Sequence, residues 1–391
     1  MRILHMCKYY PPFMGGMENF LDLLARQQAL DGHEIRVLAH WHQKNRPTED
    51  LQLLTNLYLT RVSMKGVLVY APVSPEFPGV LGKILASYAP DVVHVHMPNL
   101  SAFFLLLQKK IPKLVVHWHS DVLGSVHDYK LRLFYPVYRF FEKKLLQRAD
   151  VVIATSESYL KSSPALAGCL DKCRAIPLGV SLDRMDELAC SSHNIENKPE
   201  ILKEFLSDEP GKDPRDFILS VGRFTYYKGF KYLLEACSLG FGGRLIIVGH
   251  GPQWYEMDRL RTSLGLSSRV CMPGSLGDQE LHWLFGNCSA FCLPSVERTE
   301  AFGMVLLEAM YYKKPLITTS VEGSGMNEVN IHEKTGLVVP PCHPEALAGA
   351  MSYMLARKKE AEYMGHNARQ RLEEKFTISE VAHELDQVYH Y

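Results

Sequence analysis

The sequence of 391 residues has no net charge and no long apolar run. Its 43 lysines and arginines balance 43 aspartates and glutamates, which leaves no overall electrostatic footprint for nucleic acid. No stretch approaches the roughly 20 apolar residues that cross a bilayer, and the first residues lack an apolar signal core. These absences predict a cytoplasmic protein that binds no nucleic acid and is at most peripheral on the inner face of the membrane.

The cysteines form neither a disulfide framework nor a zinc-binding pattern. There are nine of them at irregular spacing, and the two pairs four residues apart, Cys169/Cys173 and Cys288/Cys292, have no partner pair at zinc-finger spacing. P-loop, serine-hydrolase and zincin spacings are also missing. We therefore expect free thiols in a reducing compartment.

What is present is an alternation of short β-rich runs with helical patterns along a chain too long for one core. This pattern predicts an α/β protein with two doubly wound Rossmann-like domains facing a central cleft. We predict a first Rossmann-like domain over 1–195, a proline-rich linker over 196–215, a second Rossmann-like domain over 216–376, and a helix over 377–391 that crosses back to the first domain.

The strongest chemical signal follows the predicted strand at 290–293. Gly303 allows the backbone to turn into a helix, and the first amides of that helix are free to hold a diphosphate. The residues expected to bind it at this turn are Phe302, Gly303, Met304 and Val305. Glu300 lies on the loop side of that turn. Glu308 follows five residues after Gly303, about 7.5 Å along the helix axis. Both carboxylates can accept hydrogen bonds from sugar or ribose hydroxyls, although a surface glutamate on an ordinary helix gives the same pattern.

Two further segments of the second domain carry candidate phosphate ligands. Arg223 and Lys228 follow the predicted strand at 217–221, where a planar fork and a point charge suit the oxygens of a departing diphosphate. Two solvated cations that flank the start of a helix would give the same sequence pattern. Gly249 and Gly251 end the strand at 244–248 and allow close approach of the backbone to a ligand.

In the first domain, Gly15 and Gly16 precede a helix and can form a pocket for phosphate or sugar. Their spacing is not that of the dinucleotide fingerprint. Histidines stand two apart at two strand ends, as His94/His96 and His117/His119. Residues two apart share a face, which invites a metal interpretation. We instead expect core packing for His94 and His117 and a substrate-facing role for His119.

Together these motifs resemble the retaining glycosyltransferases of family 4, which have the GT-B fold, over nearly the entire chain. Glu300 and Glu308 match the family's paired glutamates, Arg223 and Lys228 its cations for the diphosphate, and His119 its histidine at a strand end. The glycine loop after the first strand is matched by Gly15 and Gly16. Ala301 stands where a glycine is usual, and Ser120 separates His119 from Asp121.

The resemblance implies transfer of a hexosyl unit from a nucleoside-diphosphate sugar to an acceptor hydroxyl, with retention of configuration, in surface polysaccharide or lipid-linked glycan synthesis. It implies that His119 and Glu300 act at the transferred sugar and that Glu308 contacts the ribose. No aspartates stand two residues apart, so the Asp-x-Asp metal clamp is missing and we expect neither metal nor cofactor. The alternatives are a sugar-nucleotide epimerase of the same fold and a non-catalytic sugar-nucleotide-binding subunit.

Residues 130–148 combine six basic residues with a cluster of aromatics. This composition resembles the surface by which some family members contact anionic lipid. A helix that packs its aromatics into the core is the other interpretation. The partners expected from sequence are thus the sugar nucleotide, a glycan or glycolipid acceptor, and peripheral contact of this segment with a membrane.

Overall fold

A computed structural model describes residues 1–390 other than 14, 69, 123–128, 193–198 and 207–215. The chain forms two α/β units, residues 1–179 with 378–391 and residues 180–377. The α/β class and the two Rossmann-like sheets predicted from sequence are confirmed.

The first unit is built on an eight-stranded sheet in the order β10-β9-β8-β7-β1-β2-β4-β3. Every pairing is parallel except that of β3 with β4. Its strands are β1 Arg2–Met6, β2 Glu34–His40, β3 Glu49–Leu54, β4 Leu57–Val62, β5 Gly66–Leu68, β6 Ala71–Val73, β7 Val92–Met97, β8 Lys113–Trp118, β9 Val151–Ala154 and β10 Cys173–Ala175, and its helices are α1 Gly16–Leu30, α2 Phe77–Ser87, α3 Tyr129–Arg148 and α4 Glu157–Ser162. The strands β5 and β6 form a separate antiparallel pair.

The second unit is built on a six-stranded parallel sheet in the order β13-β12-β11-β14-β15-β16. Its strands are β11 Phe217–Val221, β12 Arg244–Val248, β13 Val270–Gly274, β14 Ala290–Leu293, β15 Leu316–Thr319 and β16 Gly336–Val339. Its helices are α5 Leu182–Ser192, α6 Phe230–Ser238, α7 Trp254–Ser263, α8 Asp278–Asn287, α9 Met304–Tyr311, α10 Met326–Val329, α11 Pro344–Ala356 and α12 Lys358–Lys375.

The order of the strands decides where each unit can bind a ligand. In the second sheet β11 lies between β12 and β14, so the chain proceeds outward in both directions from this point. In the first sheet β1 occupies the same position between β2 and β7. Crossover helices diverge at such a reversal, and the carboxyl ends of the two central strands border a crevice. Ligand-binding residues are therefore expected in the segments after β1, β7, β11 and β14.

The near-continuous apolar runs of the central strands follow from burial on both faces. All five residues of β12 and all four of β14 and β15 are buried. Parallel sheets are covered by helices on each side, so these strands cannot alternate apolar and polar residues. This is why the predicted strands of the second unit correspond closely to the observed ones.

The boundary predicted at residue 195 differs from the observed division at residue 179. Helix α5 belongs to the second unit because it packs against α8 and α9 of that unit. Of the predicted linker, only residues 199–206 are among the described ones, and they contain one short 3₁₀ turn, Glu200–Leu202.

The last helix, α13 (Ile378–His390), packs on α1 of the first unit. The Lys113 ammonium donates to the carbonyl oxygens of Val388 at 2.6 Å and Tyr389 at 3.3 Å, which satisfies the unpaired carbonyls at the end of the helix. Gln28 donates to the Tyr389 hydroxyl at 3.1 Å in the buried interface between the two helices. Among the described helices, none combines the length and apolar character needed to cross a bilayer.

Candidate functional site

The chain after β11 folds against the chain after β14 through a turn that requires glycine. Gly229 has φ +70°, and a Cβ there would lie 2.0 Å from the carbonyl oxygen of Pro294. The amide of Val296 also donates to the carbonyl oxygen of Tyr227 at 2.7 Å. The two loops are thus in direct backbone contact, and Lys228 lies at that contact.

Lys228 and Glu300 form a buried ion pair at the carboxyl ends of these strands. The ammonium nitrogen is 2.5 Å from Glu300 Oε2, and the two side chains are 10% and 11% exposed. Ser295 Oγ donates to the same carboxylate oxygen at 3.1 Å. Burial alone would lower the pKa of Lys228, but the charge of Glu300 and its hydrogen bond, with Tyr227, outweigh burial and raise it. The Lys228 ammonium therefore remains charged near neutral pH.

The glycine turn after β12 packs against the segment that carries Arg223. Gly249 has φ +131°, and a Cβ there would lie 2.1 Å from the carbonyl oxygen of Gly222. A Cβ on Gly251 would lie 2.6 Å from the carbonyl oxygen of Phe224. Both glycines are needed for this close backbone contact. The Arg223 guanidinium is exposed and makes no hydrogen bond or ion pair with the described residues, so it can bind a ligand.

Gly303 turns the chain after β14 into α9, as the sequence predicted. Its φ is +86°, and a Cβ would lie 3.0 Å from Leu306 Cδ1. The Leu306 amide donates to the Gly303 carbonyl at 2.8 Å, whereas the amides of Met304 and Val305 have no acceptor within the described part of the chain. Phe302 is buried with its ring edge-on to Phe376 at 5.9 Å. Two unpaired amides at the positive end of a helix favour an anion.

Glu308 lies on α9, half-buried, and its carboxylate makes no hydrogen bond to the described residues. Burial, with the nearby charge of Asp278, raises its pKa from 4.5 to about 7, and the charge of Arg184 opposes this shift only in part. A ligand whose hydroxyl groups donate hydrogen bonds to this carboxylate would stabilise its ionised form. Glu300 and Glu308 thus have different surroundings. That they contact different parts of the donor stays a prediction.

Three hydroxyl residues that the sequence analysis did not select hold the segment between β14 and α9. Ser295 donates to the Glu300 carboxylate at 3.1 Å. Thr319 donates to the Ser295 carbonyl, and Ser324 donates to the Glu300 carbonyl. All three side chains are buried. Ser295 was visible beside the glutamate motif, but the other two lie 24 residues from their partners, and no local pattern indicates them.

In the first unit, Gly15 caps α1 and Gly16 begins it. A Cβ on Gly15 would lie 2.2 Å from Glu18 Oε2, whereas a Cβ on Gly16 would meet nothing within 4 Å. The space above Gly16 is open, as expected for a loop that approaches a ligand, and the amides of Gly16 and Met17 have no acceptor among the residues described. The geometry has room for a phosphate or sugar at this position, and the pocket stays a prediction.

His119, the residue directly after β8, belongs to a cluster of five buried histidines with His5 on β1, His94 and His96 on β7 and His117 on β8. The cluster is larger than the sequence indicated because it also includes His5 of the neighbouring strand. Burial lowers the pKa of His119 to about 3 and that of His5 to about 4, and it places those of the other three well below the usual value. All five rings are therefore neutral at physiological pH.

The cluster does not have the geometry of a metal site. Its ring nitrogens come within 4.8 Å of one another in two groups of three. In one group, His117 lies parallel to His119 within 8° and to His96 within 20°, so their in-plane lone pairs cannot converge on one ion. In the other group, both nitrogens of His5 are already hydrogen-bonded.

Comparison with known proteins gives two family matches that together cover most of the chain. Residues 203–371 match the model of the glycosyl transferases group 1, and residues 14–184 match that of glycosyltransferase family 4. The chain is 30% identical to the D-rhamnosyltransferase WbpZ of Pseudomonas aeruginosa, over 96% of this chain and 92% of that protein. It is 29% identical to the O-antigen chain mannosyltransferase C of Escherichia coli, over 96% and 95% of the two chains.

Solved structures give the same fold. Sucrose-phosphate synthase from Thermosynechococcus elongatus superposes with a TM-score of 0.78 at 25% identity, over 100% of this chain and 98% of that one. Anabaena HepE, solved in complex with UDP, superposes with a TM-score of 0.72 at 18% identity, over 99% of each chain.

The ion pair between Lys228 and Glu300 predicts non-additive effects of substitution. Lys228→Met or Glu300→Gln alone should lower the free energy of unfolding by about 3 kcal/mol, because each leaves a buried charge without its partner. The double variant should lose at least 1 kcal/mol less than the sum, about the coupling expected for a contacting pair. Urea denaturation of the four proteins measures this. Additive losses would show that the two groups do not interact in solution.

Proposed function

The chain belongs to the group 1 glycosyltransferases of family 4 and has their GT-B fold, and from this premise we propose that it transfers a hexosyl unit from a nucleoside-diphosphate sugar with retention of configuration and without a metal ion. The observation that carries the proposal lies in the second unit. There a buried Lys228–Glu300 pair and the unpaired amides of Met304 and Val305 follow two adjacent strands at the reversal of the sheet.

The names of two relatives support a choice of donor to test and of biological context. One is named as an O-antigen mannosyltransferase, and another, 25% identical over 94% of this chain, as a GDP-mannose-dependent mannosyltransferase. We propose that this protein acts in polysaccharide biosynthesis, with a glycan or glycolipid as acceptor. GDP-mannose is the first donor to test, beside UDP- and ADP-sugars, because it is the donor in the name of that relative.

The charge on the leaving diphosphate is met by protein groups. Lys228 has three donors and uses one on Glu300, so its ammonium can bridge the carboxylate and a phosphate oxygen. Arg223 supplies an exposed planar fork, and the amides of Met304 and Val305 supply aligned dipoles. Fixed donors of this kind stabilise the charge as it develops in the transition state. They supply the role that a divalent ion has in enzymes with an Asp-x-Asp clamp, so no cofactor is required.

Retention by attack on the same face of the sugar suits the state of Glu300. A carboxylate held by an ammonium at 2.5 Å and a hydroxyl at 3.1 Å is a weak nucleophile, which disfavours a covalent glycosyl intermediate on this residue. We propose that Glu300 instead orients a hydroxyl of the transferred sugar. His119 is neutral and acts as a hydrogen-bond acceptor, since burial lowers its pKa to about 3.

The main test is stabilisation by sugar nucleotides. Lys228→Ala, Arg223→Ala and Glu308→Ala should each reduce the rise in melting temperature that GDP-mannose produces, by weakening donor affinity about tenfold or more. Lys231→Ala is the matched control, because Lys231 lies on the next helix with its side chain 56% exposed. Turnover with EDTA present and an α-linked product from the α-linked donor are expected.

Several outcomes would contradict the proposal. If no GDP-, UDP- or ADP-sugar stabilises the protein, its donor site is wrongly assigned. Loss of turnover on chelation that Mg²⁺ restores would show that a metal ion is required. Tight binding with no transfer or hydrolysis of any donor would favour a non-catalytic binding subunit.

Glu308 gives donor binding a predicted pH dependence. Its pKa of about 7 means that the free protein holds a proton there below neutral pH. Ribose hydroxyls donate hydrogen bonds to the ionised form, so donor binding must release that proton below pH 7 and weakens as the pH falls. Each phosphate of a sugar nucleotide carries one ester and the shared anhydride bond, so it lacks the second ionisation near pH 6 and the donor does not add its own titration.

We therefore expect the Kd for GDP-mannose to rise about tenfold from pH 8 to pH 6, as the ionised fraction falls by about that factor. Isothermal titration calorimetry at three pH values measures it. Glu308→Gln is the matched variant. It should bind more weakly at pH 8 and show no pH dependence in this range. An equal slope in both proteins would assign the titration to another group.

Helix α3 supports the proposed membrane contact. Its buried side contains Tyr138 and Leu145, but five apolar side chains on its other side are 39–76% exposed, namely Leu133, Phe134, Val137, Phe140 and Phe141. The alternative that the aromatics pack into the core is therefore wrong for these three phenylalanines. Exposed basic residues, Arg132, Lys143 and Lys144, border this surface. A large exposed apolar patch with a basic border suits an anionic lipid surface.

We expect the protein to float with vesicles containing phosphatidylglycerol and not with neutral vesicles at low salt. Val137→Glu with Phe140→Glu should abolish flotation, because charges then enter the apolar surface. Tyr363→Glu is the control, since Tyr363 is 67% exposed on the second unit. Absence of flotation of the wild-type protein would contradict the proposed membrane contact. Equal flotation of the Val137→Glu/Phe140→Glu variant and the Tyr363→Glu control would contradict it as well.

A further inference from the structure

A continuous chain of hydrogen bonds runs through the first unit from α13 to His119. The Gln28 amide donates to the Tyr389 hydroxyl at 3.1 Å, and its carbonyl oxygen is 2.8 Å from His5 Nε2. His5 Nδ1 lies 3.1 Å from His96 Nε2. His96 Nδ1 in turn lies 2.9 Å from His119 Nε2. We call these five residues the relay.

Neutral rings leave the relay no freedom in the placement of its protons. Each neutral imidazole has one N–H donor and one acceptor nitrogen. Because the Gln28 carbonyl only accepts, His5 carries its proton on Nε2 and accepts at Nδ1. His96 must then donate from Nε2 and accept at Nδ1, and His119 must donate from Nε2.

The end of the relay is an acceptor with no partner. His119 Nδ1 is buried and has no hydrogen-bond partner among the described residues. In the tautomer given by the relay, this atom has a free lone pair. A buried acceptor without a partner loses free energy, and it can regain that energy from a hydroxyl that donates to it. A sugar hydroxyl has the required chemistry.

We propose that Gln28, His5 and His96 are positioning residues that fix His119 in the Nε2–H tautomer and so present Nδ1 as an acceptor for a hydroxyl of the substrate. The assignment of the hydroxyl to a sugar rests on the proposed function, whereas the tautomer is a property of the free protein. Gln28, the residue that fixes the proton of His5, is separated from His119 by three hydrogen bonds. A substitution of Gln28 therefore affects His119 only by changing which ring nitrogens along the relay carry protons.

His117 provides a matched control within the same cluster. It is fully buried and stacks on His119 with ring centroids 4.3 Å apart and planes within 8°. Neither of its ring nitrogens has a hydrogen-bond partner in the described part of the protein. His117→Phe therefore keeps an aromatic ring in the stack and breaks no bond of the relay. Since it removes buried polar atoms without partners, it should not lower stability through lost hydrogen bonds.

The test is the ¹⁵N spectrum of histidine-labelled, full-length protein at pH 7.5, in which protonated and unprotonated ring nitrogens have distinct shifts. The signal of His119 is assigned by its loss in His119→Asn. We expect a neutral ring with the proton on Nε2 in the wild type and in His117→Phe. In Gln28→Met, which keeps side-chain volume but removes the anchor, His119 should become a mixture of the two tautomers. His96→Phe should give the same result and replaces Gln28→Met if that variant does not fold.

A proton on Nδ1 or a tautomer mixture in the wild type would overturn the proposal, as would an unchanged His119 signal in Gln28→Met and His96→Phe. The kinetic counterpart, with GDP-mannose as the probe, is a kcat about tenfold lower in Gln28→Met, with KM within about twofold, because the lost orientation matters at the reacting sugar. A wild type with no turnover of any sugar nucleotide would contradict the proposed function and leave the spectroscopic result decisive for the relay.

Discussion

The ion pair between Lys228 and Glu300 joins the loops after two adjacent strands of the second sheet, and the geometry of this site depends on it. Taking both charges out of water is unfavourable unless they are paired and further hydrogen-bonded. Ser295 supplies the further bond, and Gly229 allows the two loops to approach closely enough for the pair to form. The result is a cation that remains charged while it is buried. Such a group is already in place when negative charge develops on a ligand, so little reorganisation is needed.

The first unit achieves a different kind of preorganisation with neutral groups. Its five clustered histidines are desolvated, and the pKa of each is lowered below the physiological range. They therefore act through the direction of their hydrogen bonds and not through charge. The α13 helix takes part in this arrangement, since Tyr389 binds both Gln28 and His94. The second unit thus offers a fixed charge, whereas the first offers fixed directions of hydrogen-bond donors and acceptors.

The sequence predicted elements well where a single physical constraint governs them. Strands such as β11 and β14 are short apolar runs because parallel sheets are covered on both faces, and the turn at Gly303 follows from the backbone conformation that glycine alone adopts easily. The sequence did not indicate the strands β3 to β6 and β10 or the helix α12. The strand β3 is a half-exposed edge strand that pairs antiparallel with β4, so it lacks the apolar run of a central strand. The α12 helix is polar over most of its surface and gives a weak amphipathic pattern.

By itself, the sequence determined the α/β class, the family, and the residue types that can meet a diphosphate and a sugar, because these depend on local patterns and on spacing along the chain. Only the tertiary structure decided which of those residues touch. Lys228 and Glu300 are 72 positions apart, and Gln28 and Tyr389 are 361 apart, and no local preference encodes contacts at such separations. The protonation of Glu308 and the tautomer of His119 were decided in the same way, since burial and hydrogen-bond partners exist only after the sheets have formed.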